Sequence, residues 1–214
     1  MMKVLISRNR DTAHAWFRRD LEFIANFPFS QQRKITMTLI IQVLTTIALA
    51  VGGAAALPEG VRPGKTFGGP HGDEYSDLEL VSPGQVVNSV TIRGSDRVDA
   101  VGLDVTDPDG QQLLLYHGGD GGESKTLILS KDEHIVGVFA QWVKYYRKTR
   151  LMYLKFTTDK NNTISGGYYD KETDKQDSDN APKGFQLGGF EGYCGNELDS
   201  MRSLWTSIEP DQQD

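Results

Sequence analysis

From about residue 58 onward the apolar residues of this chain recur at every second position, in short runs that end at turn sequences. The run Val101–Val105 alternates in this way and is followed by the turn sequence DPDG at 107–110. Such alternation sets one face of a strand against a core and leaves the other in water. No segment after Pro58 repeats its apolar residues at the 3.6-residue period of an amphipathic helix. The pattern predicts an all-β fold, built as a sandwich, a barrel or a prism.

The composition agrees with a β-rich soluble domain, since 23 of the 214 residues are glycine. The net charge is −6. Removing the seven basic and three acidic residues before position 57 from the totals of 23 and 29 leaves 16 basic and 26 acidic residues, a net −10 for 57–214. That balance argues against nucleic acid as a partner. The single cysteine, Cys194, rules out an internal disulfide and is expected to act as a small core residue.

Residues 37–56 read as a secretory signal peptide. Arg33 and Lys34 form a basic start, residues 38–51 are uncharged and mostly apolar, and residues 54–56 are three alanines suited to cleavage. The mature chain would then begin at Leu57, outside the cell. The alternative is a single-pass membrane anchor with the C-terminal domain outside, because 38–56 supply about 19 uncharged residues. Residues 1–36 are interpreted as a disordered extension or a gene-model artefact, with Met37 as the true start.

Two further expectations come from local patterns. In the run 151–157, Met152, Leu154 and Phe156 are predicted to share one face, with Leu151, Tyr153 and Lys155 on the other. The segment 168–184 has no leucine, isoleucine or valine and is dense in charge, so it is predicted to be a mobile surface loop.

Five stretches occur in a fixed order along the chain. They are GGPHGDEYSD at 68–77, VNSVTIRGSDRVDAVGLDV at 87–105, YHGGDGGES at 116–124, LMYLKFTT at 151–158 and GFEGYCGNELDS at 189–200. This succession resembles the jacalin-related lectins, whose domain opens with a glycine-rich loop and closes with a G-x-x-L-D turn. No single stretch is specific to this family. Five stretches in the same order, at compatible spacing, are much harder to obtain by chance.

The resemblance implies a β-prism I fold of three four-stranded antiparallel Greek-key sheets, preceded here by the hydrophobic signal or anchor helix. The lectin domain is expected at 67–208, after a short linker at 57–66 and before a tail at 209–214. It also implies that the protein binds carbohydrate in the loops at one end of the prism, that it is not an enzyme, and that it uses no cofactor and no metal.

Sugar chemistry explains why such a site needs these residue types. A hexose presents neighbouring hydroxyl groups, and a carboxylate can accept hydrogen bonds from two of them while backbone N–H groups donate to the same oxygens. Glycine lets backbone approach closely because it has no Cβ. The resemblance implies a sugar-binding site formed by Gly72, Gly195, Asn196, Glu197 and Asp199, flanked by the aromatic rings of Tyr145 and Tyr146.

In this interpretation Gly195 lets the loop fold back, Leu198 anchors it in the core, and Asp199 presents its carboxylate. The amides of Asn196 and Glu197 donate to the sugar from one side, and that of Gly72 donates from the other. The alternative is purely structural: Gly195 makes a turn and Asp199 caps neighbouring backbone.

A second sugar site of the same design is an open possibility at Asp96, Arg97 and Asp99, with Gly118 and Gly119 as the facing loop. The family pattern places glycine four residues before the acid, whereas this sequence has Ser95 there.

Specificity is expected to favour mannose- or glucose-containing glycans or glycoproteins. Galactose-preferring members are cut so that the first-loop glycine carries a free amino group, whereas at least 11 residues precede Gly68 if cleavage follows Ala56. Homo-oligomers would provide avidity. Two alternatives stay open: a surface or adhesion protein that binds protein partners through a sugar-inactive prism, and a glycosidase, which would need two suitably spaced carboxylates.

Overall fold

The computed structural model describes residues 57–145 and 147–210. The expected signal or anchor, the N-terminal extension and Tyr146 lie outside these residues. Within the described part no helix could cross a membrane. The strands are β1 (Val61–Gly68), β2 (Asp73–Ser76), β3 (Val86–Gly94), β4 (Val98–Thr106), β5 (Gln112–Gly118), β6 (Glu123–Ile128), β7 (Ile135–Tyr145), β8 (Lys148–Thr158), β9 (Thr163–Gly167), β10 (Gln176–Asn180), β11 (Phe185–Cys194) and β12 (Leu198–Ser207).

The strands form three four-stranded antiparallel sheets, as predicted. Sheet A has the order β1-β12-β11-β2, sheet B the order β5-β4-β3-β6, and sheet C the order β10-β7-β8-β9. In sheets B and C three consecutive strands form a meander, and the fourth returns beside the first, which is a Greek key. Sheet A has the same arrangement, but its strands come from both ends of the domain: β11, β12 and β1 lie side by side, and β2 lies beside β11. The first and last strands are therefore neighbours.

One hydrophobic core lies between the three sheets, because each sheet turns one face of its alternating strands inward. Ile92 and Leu103 of sheet B, Leu154 of sheet C and Trp205 of sheet A are all 1% exposed or less. Burial of each such side chain contributes about 1.5–3 kcal/mol relative to exposure. The three faces therefore stabilise one another, and no sheet could bury its apolar side alone.

The same corner occurs at one end of each sheet, where a strand meets the loop of its neighbour. The amide of Gly69 donates to the carbonyl of Asp199 at 3.1 Å, that of Gly119 to Asp99 at 3.0 Å, and that of Tyr168 to Met152 at 2.8 Å. In each corner the preceding residue is a glycine with positive φ, a conformation that a side chain would strain. This end is called the loop pole below, and its loops are 69–72, 95–97, 119–122 and 195–197.

The predicted side-chain alternation in β8 is wrong at Met152. Leu151 pairs with Trp142 and Tyr153 with Gln141, so the register shifts and Met152 is an extra residue in β8. Such a bulge reverses the alternation. Leu151 and Leu154 are therefore both buried on the core side, while Met152 is half-buried.

The prediction of a mobile loop at 168–184 is wrong for its second half. Residues Gln176–Asn180 form β10, an edge strand paired with β7. The first half is tied to the sheet by the buried side chain of Gln141, which accepts from the amide of Asp170 at 2.9 Å and donates to its carbonyl at 2.8 Å. A charged edge strand needs no apolar alternation, because its backbone ladder holds it and its charges keep other chains from pairing with it.

At the end opposite the loop pole, the buried carboxylate of Glu133 joins two turns. It accepts from the amide of Ser130 at 3.0 Å and its hydroxyl at 2.6 Å, and from the side chains of Thr158 and Asn162, each at 2.7 Å. These hydrogen bonds, that of the Ser130 hydroxyl first, lower the pKa of Glu133 to about 2. The carboxylate therefore stabilises this end only while it is ionised.

We expect Glu133→Gln to lower the unfolding temperature at pH 6. Because the pKa of Glu133 is depressed on folding, its contribution to stability is complete above about pH 4.5 and disappears as the pH falls towards 2. The deficit of the variant, measured by thermal unfolding across this range, should therefore shrink with falling pH. Glu79→Gln, at an exposed acid, is the control and should follow the wild type. A deficit that stays constant would contradict the assignment.

Candidate functional site

The turn between β11 and β12 brings Asp199 to the loop pole. The amide of Gly195 donates to the carbonyl of Glu197 at 3.0 Å, and the fully buried Leu198 fixes the turn in the core. Gly195 has no positive φ, and a Cβ built on it would meet nothing within 4 Å. The expectation that Gly195 is needed for the loop to fold back is therefore wrong. Its lack of a side chain leaves open space over the turn instead.

The carboxylate of Asp199 faces the backbone of the first loop. Gly72 has a φ of +82°, and a Cβ there would lie 2.9 Å from Oδ2 of Asp199. The side chain of Asp199 is almost fully buried, and that burial raises the pKa of Asp199 despite the opposing charge of Arg150. One oxygen of the acid is thus turned towards the glycine.

Arg150, at the start of β8, occupies the other oxygen of this acid. Its Nη1 pairs with Oδ1 of Asp199, and its Nε pairs with Oε2 of Glu197. The side chains of Arg150, Glu197 and Asp199 are 17%, 20% and 6% exposed. The guanidinium therefore offsets part of the negative charge of Asp199 and covers this acid from solvent. Sequence reasoning missed Arg150, which lies 49 residues from Asp199 and belongs to no stretch of the turn motif.

The turn between β3 and β4 repeats this geometry in sheet B. The amide of Ser95 donates to the carbonyl of Arg97 at 3.1 Å, and Asp99 is buried at the start of β4. Nε of Arg97 lies 3.6 Å from Oδ1 of Asp99 and, within the described residues, is buried without a hydrogen-bond partner. Burial raises the pKa of Asp99, and the charge of Arg97 opposes that shift.

The glycines that face Asp99 are Gly121 and Gly122, whereas Gly119 was predicted. A Cβ on Gly122 would lie 2.5 Å from Oδ2 of Asp99, and one on Gly121 would lie 3.1 Å from Oδ1. The amide of Gly119 instead donates to the carbonyl of Asp99 in the corner described above, and its Cα lies against the backbone of Asn196. The spacing Gly-Gly-x-x-Gly, found at both 68–72 and 118–122, could have indicated the facing residue.

Arg97, Arg150 and Glu197 occupy equivalent positions, one in each sheet, and meet at the axis of the pole. Each is followed first by a fully buried apolar residue (Val98, Leu151 and Leu198) and then by the corner residue (Asp99, Met152 and Asp199). Nη2 of Arg97 pairs with Oε1 of Glu197 at 2.8 Å, and Arg150 pairs with the other oxygen of Glu197. We call Arg97, Glu197 and Arg150 the axial cluster.

Asn196 and Asp96 are exposed at the tips of their turns. Tyr145 pairs through its backbone with Lys148 in the β7–β8 hairpin; its side chain and Tyr146 lie outside the described residues. His71 joins the first loop to this hairpin, because its Nδ1 accepts from the amide of Thr149 at 3.2 Å.

The sequence is similar to two named proteins. Secreted RxLR effector protein 19 of Plasmopara viticola is 28% identical over 170 residues, which cover 79% of this chain and 94% of the relative. Jacalin-related lectin 36 of Arabidopsis thaliana is 34% identical over 86 residues, or 40% of this chain, and the match spans only 18% of that relative's length.

Solved lectin structures share the fold. Malaysian banana lectin superposes with a TM-score of 0.58 at 24% identity, covering 69% of this chain and 99% of the lectin. AcmJRL, a mannose-binding jacalin-related lectin from Ananas comosus, gives 0.58 at 18% identity, covering 70% and 99%. Calsepa lectin, in complex with a biantennary N-glycan, gives 0.55 at 20% identity, covering 71% and 99%.

A family model described as a jacalin-like lectin domain matches residues 64–202. The match includes both acid turns, both glycine-rich loops and all of the axial cluster. It extends over more than half of the chain and agrees with the three-sheet architecture. The chain belongs to the jacalin-like lectin domain family.

Proposed function

We propose that this protein is a secreted, metal-independent lectin that binds mannose- or glucose-type glycans at the loop pole. The observation that carries the proposal is the carboxylate of Asp199 against the backbone of Gly72, beside the open space over Gly195. Two hydroxyl groups of a hexose in that space would donate hydrogen bonds to Asp199, and its oxygens would accept hydrogen bonds from the amides of Asn196 and Glu197. Tyr145 and Tyr146 of the neighbouring hairpin would stack on the apolar face of the ring.

The preference for mannose or glucose is supported by the continuity of the chain through the first loop. In the uncleaved chain, residues 61–68 run as β1 along β12, so Gly68 follows a paired strand. Two of the solved lectins of this fold are described as mannose-binding. Secretion is supported by the signal-like sequence of 37–56 and by the relative described as a secreted effector.

A second sugar site at Asp99 is part of the proposal. Its acid faces Gly122 as Asp199 faces Gly72, and both turns carry the same amide-to-carbonyl bond. The buried Nε of Arg97 is a donor that a ligand oxygen could satisfy. Two weak sites, each in the millimolar range for one monosaccharide, would give useful avidity together or in an oligomer.

One observation favours the alternative of a prism that binds protein partners without sugar. Arg150 already occupies one oxygen of Asp199, and a related chain is described as an effector. This alternative predicts that no glycan binds to the wild type or to any variant that frees Asp199. The glycosidase alternative predicts turnover of a bound glycan, which product analysis would detect.

We expect Asp199→Asn to weaken glycan binding at the Asp199 site by at least about 100-fold, because it removes the charge-assisted acceptor of two hydroxyls. Its unfolding temperature should stay within about 5 °C of the wild type, because the amide oxygen of the new side chain can still accept from Nη1 of Arg150, which also keeps Glu197 as a counter-ion. Glycan arrays and calorimetric titration measure binding, and thermal unfolding measures stability. Asp177→Asn, at an exposed acid outside the pole, should bind normally. Unchanged binding by Asp199→Asn would refute the proposed site, and a large stability loss would support the capping role.

For the second site, we expect Asp99→Asn to reduce the number of monosaccharides bound per chain from two to one. The remaining affinity should match that of the Asp199 site, because each acid faces its own glycine loop. Native mass spectrometry or NMR titration with methyl α-mannoside measures this number. A wild type that binds a single sugar, with no change in Asp99→Asn, would show that the Asp99 turn is only structural.

A further inference from the structure

The guanidinium of Arg150 lies where a ligand of Asp199 would have to bind. Nη1 of Arg150 pairs with Oδ1, and the acid is left 6% exposed. A sugar that uses both carboxylate oxygens must therefore move Nη1 away from Oδ1. A neutral hydroxyl group accepts less strongly from a guanidinium than an anion, which often accepts through two bonds. A neutral sugar consequently exchanges an ion pair for hydrogen bonds in which only one partner is charged.

Glu197 alone cannot compensate for this loss. It already serves Arg150 through one oxygen and Arg97 through the other. When Nη1 of Arg150 leaves Asp199, it becomes a partly buried charged donor without an acceptor, because both oxygens of Glu197 are already in use. Such a donor is costly to leave unpaired, and an anionic group of the ligand would accept from it strongly.

The hairpin beside the site adds further positive charge. Lys144, Arg147 and Lys148 are exposed on the two sides of its tip, and the charge of Lys148 acts on Asp199. These cations stand out in a chain whose net charge is −6. These cations form a positive rim on the hairpin side of the site only, since Asp96 and Asp120 are exposed elsewhere on the pole. A rim of this kind attracts a ligand that has hydroxyl groups for Asp199 and a negative charge on the hairpin side.

We propose that Arg150 is the specificity-determining residue of the Asp199 site, and that the site selects glycans bearing an anionic substituent over neutral ones. The inference rests on the proposed function. The hydroxyl groups of one sugar bind Asp199, and a sulfate, carboxylate or phosphate on the neighbouring sugar receives the displaced guanidinium of Arg150. The rim of the β7–β8 hairpin increases the rate of encounter with such a ligand.

The test compares a neutral mannose disaccharide with the same disaccharide carrying a sulfate on the sugar next to the terminal mannose. Calorimetric titration of the wild type should give an affinity about tenfold higher for the sulfated ligand. In Arg150→Ala the neutral ligand should bind about tenfold more tightly than in the wild type, and the preference for sulfate should vanish. A matching pair with a uronic acid in place of the sulfated sugar separates carboxylate from sulfate recognition.

Arg202→Ala is the matched control, since Arg202 is also a partly exposed, ion-paired arginine but belongs to sheet A away from the axial cluster. It should keep the wild-type preference. Arg150→Gln preserves a donor to Asp199 and serves as a second variant if Arg150→Ala unfolds; it too should lose the preference. Equal wild-type affinities for neutral and anionic ligands, or a preference that survives in both Arg150 variants, would overturn the inference and leave the lectin assignment standing. Failure of every variant to bind either ligand would refute the proposed function itself.

Discussion

The sharing of Glu197 between Arg97 and Arg150 joins the three sheets at the loop pole. Each sheet contributes one member from the same position of its corner, so the cluster follows from the threefold repeat of the fold. Buried ion clusters add little net stability, because desolvation offsets their attraction. Their value here is geometric: the cluster fixes both acid turns relative to the hairpin of sheet C. The turns of the pole are therefore held in one connected surface.

Each buried acid of the pole is held next to one guanidinium. Burial raises the pKa of Asp99 and of Asp199, and the neighbouring arginine opposes that shift in both cases. Without the arginines, burial would favour the protonated acids, which accept hydrogen bonds more weakly. The same arginines also compete with any ligand for the carboxylate oxygens. The arginine contact thus favours the ionised form of each acid and at the same time limits the access of a ligand to its carboxylate oxygens.

The sequence predicted the features that depend on local chemistry. Alternation and glycine-rich turns indicated the strands, and the G-x-x-L-D turn indicated Asp199 and the buried Leu198. It did not predict Arg150, because the contact depends on a fold symmetry that brings β8 beside β12. The bulge at Met152 and the strand β10 were missed for a related reason: register shifts and edge pairing are determined by neighbouring strands, and the residues themselves do not show them.

The three corners share a backbone but differ in side chains, and this difference gives the pole its chemistry. Two corners carry an acid, Asp99 or Asp199. The third has Met152, and its Arg150 pairs with Asp199. With Met152 in place, the axial cluster and both corner acids carry two positive and three negative charges. An acid at position 152 would increase this negative excess, so Met152 leaves the two arginines to serve Glu197 and the two corner acids.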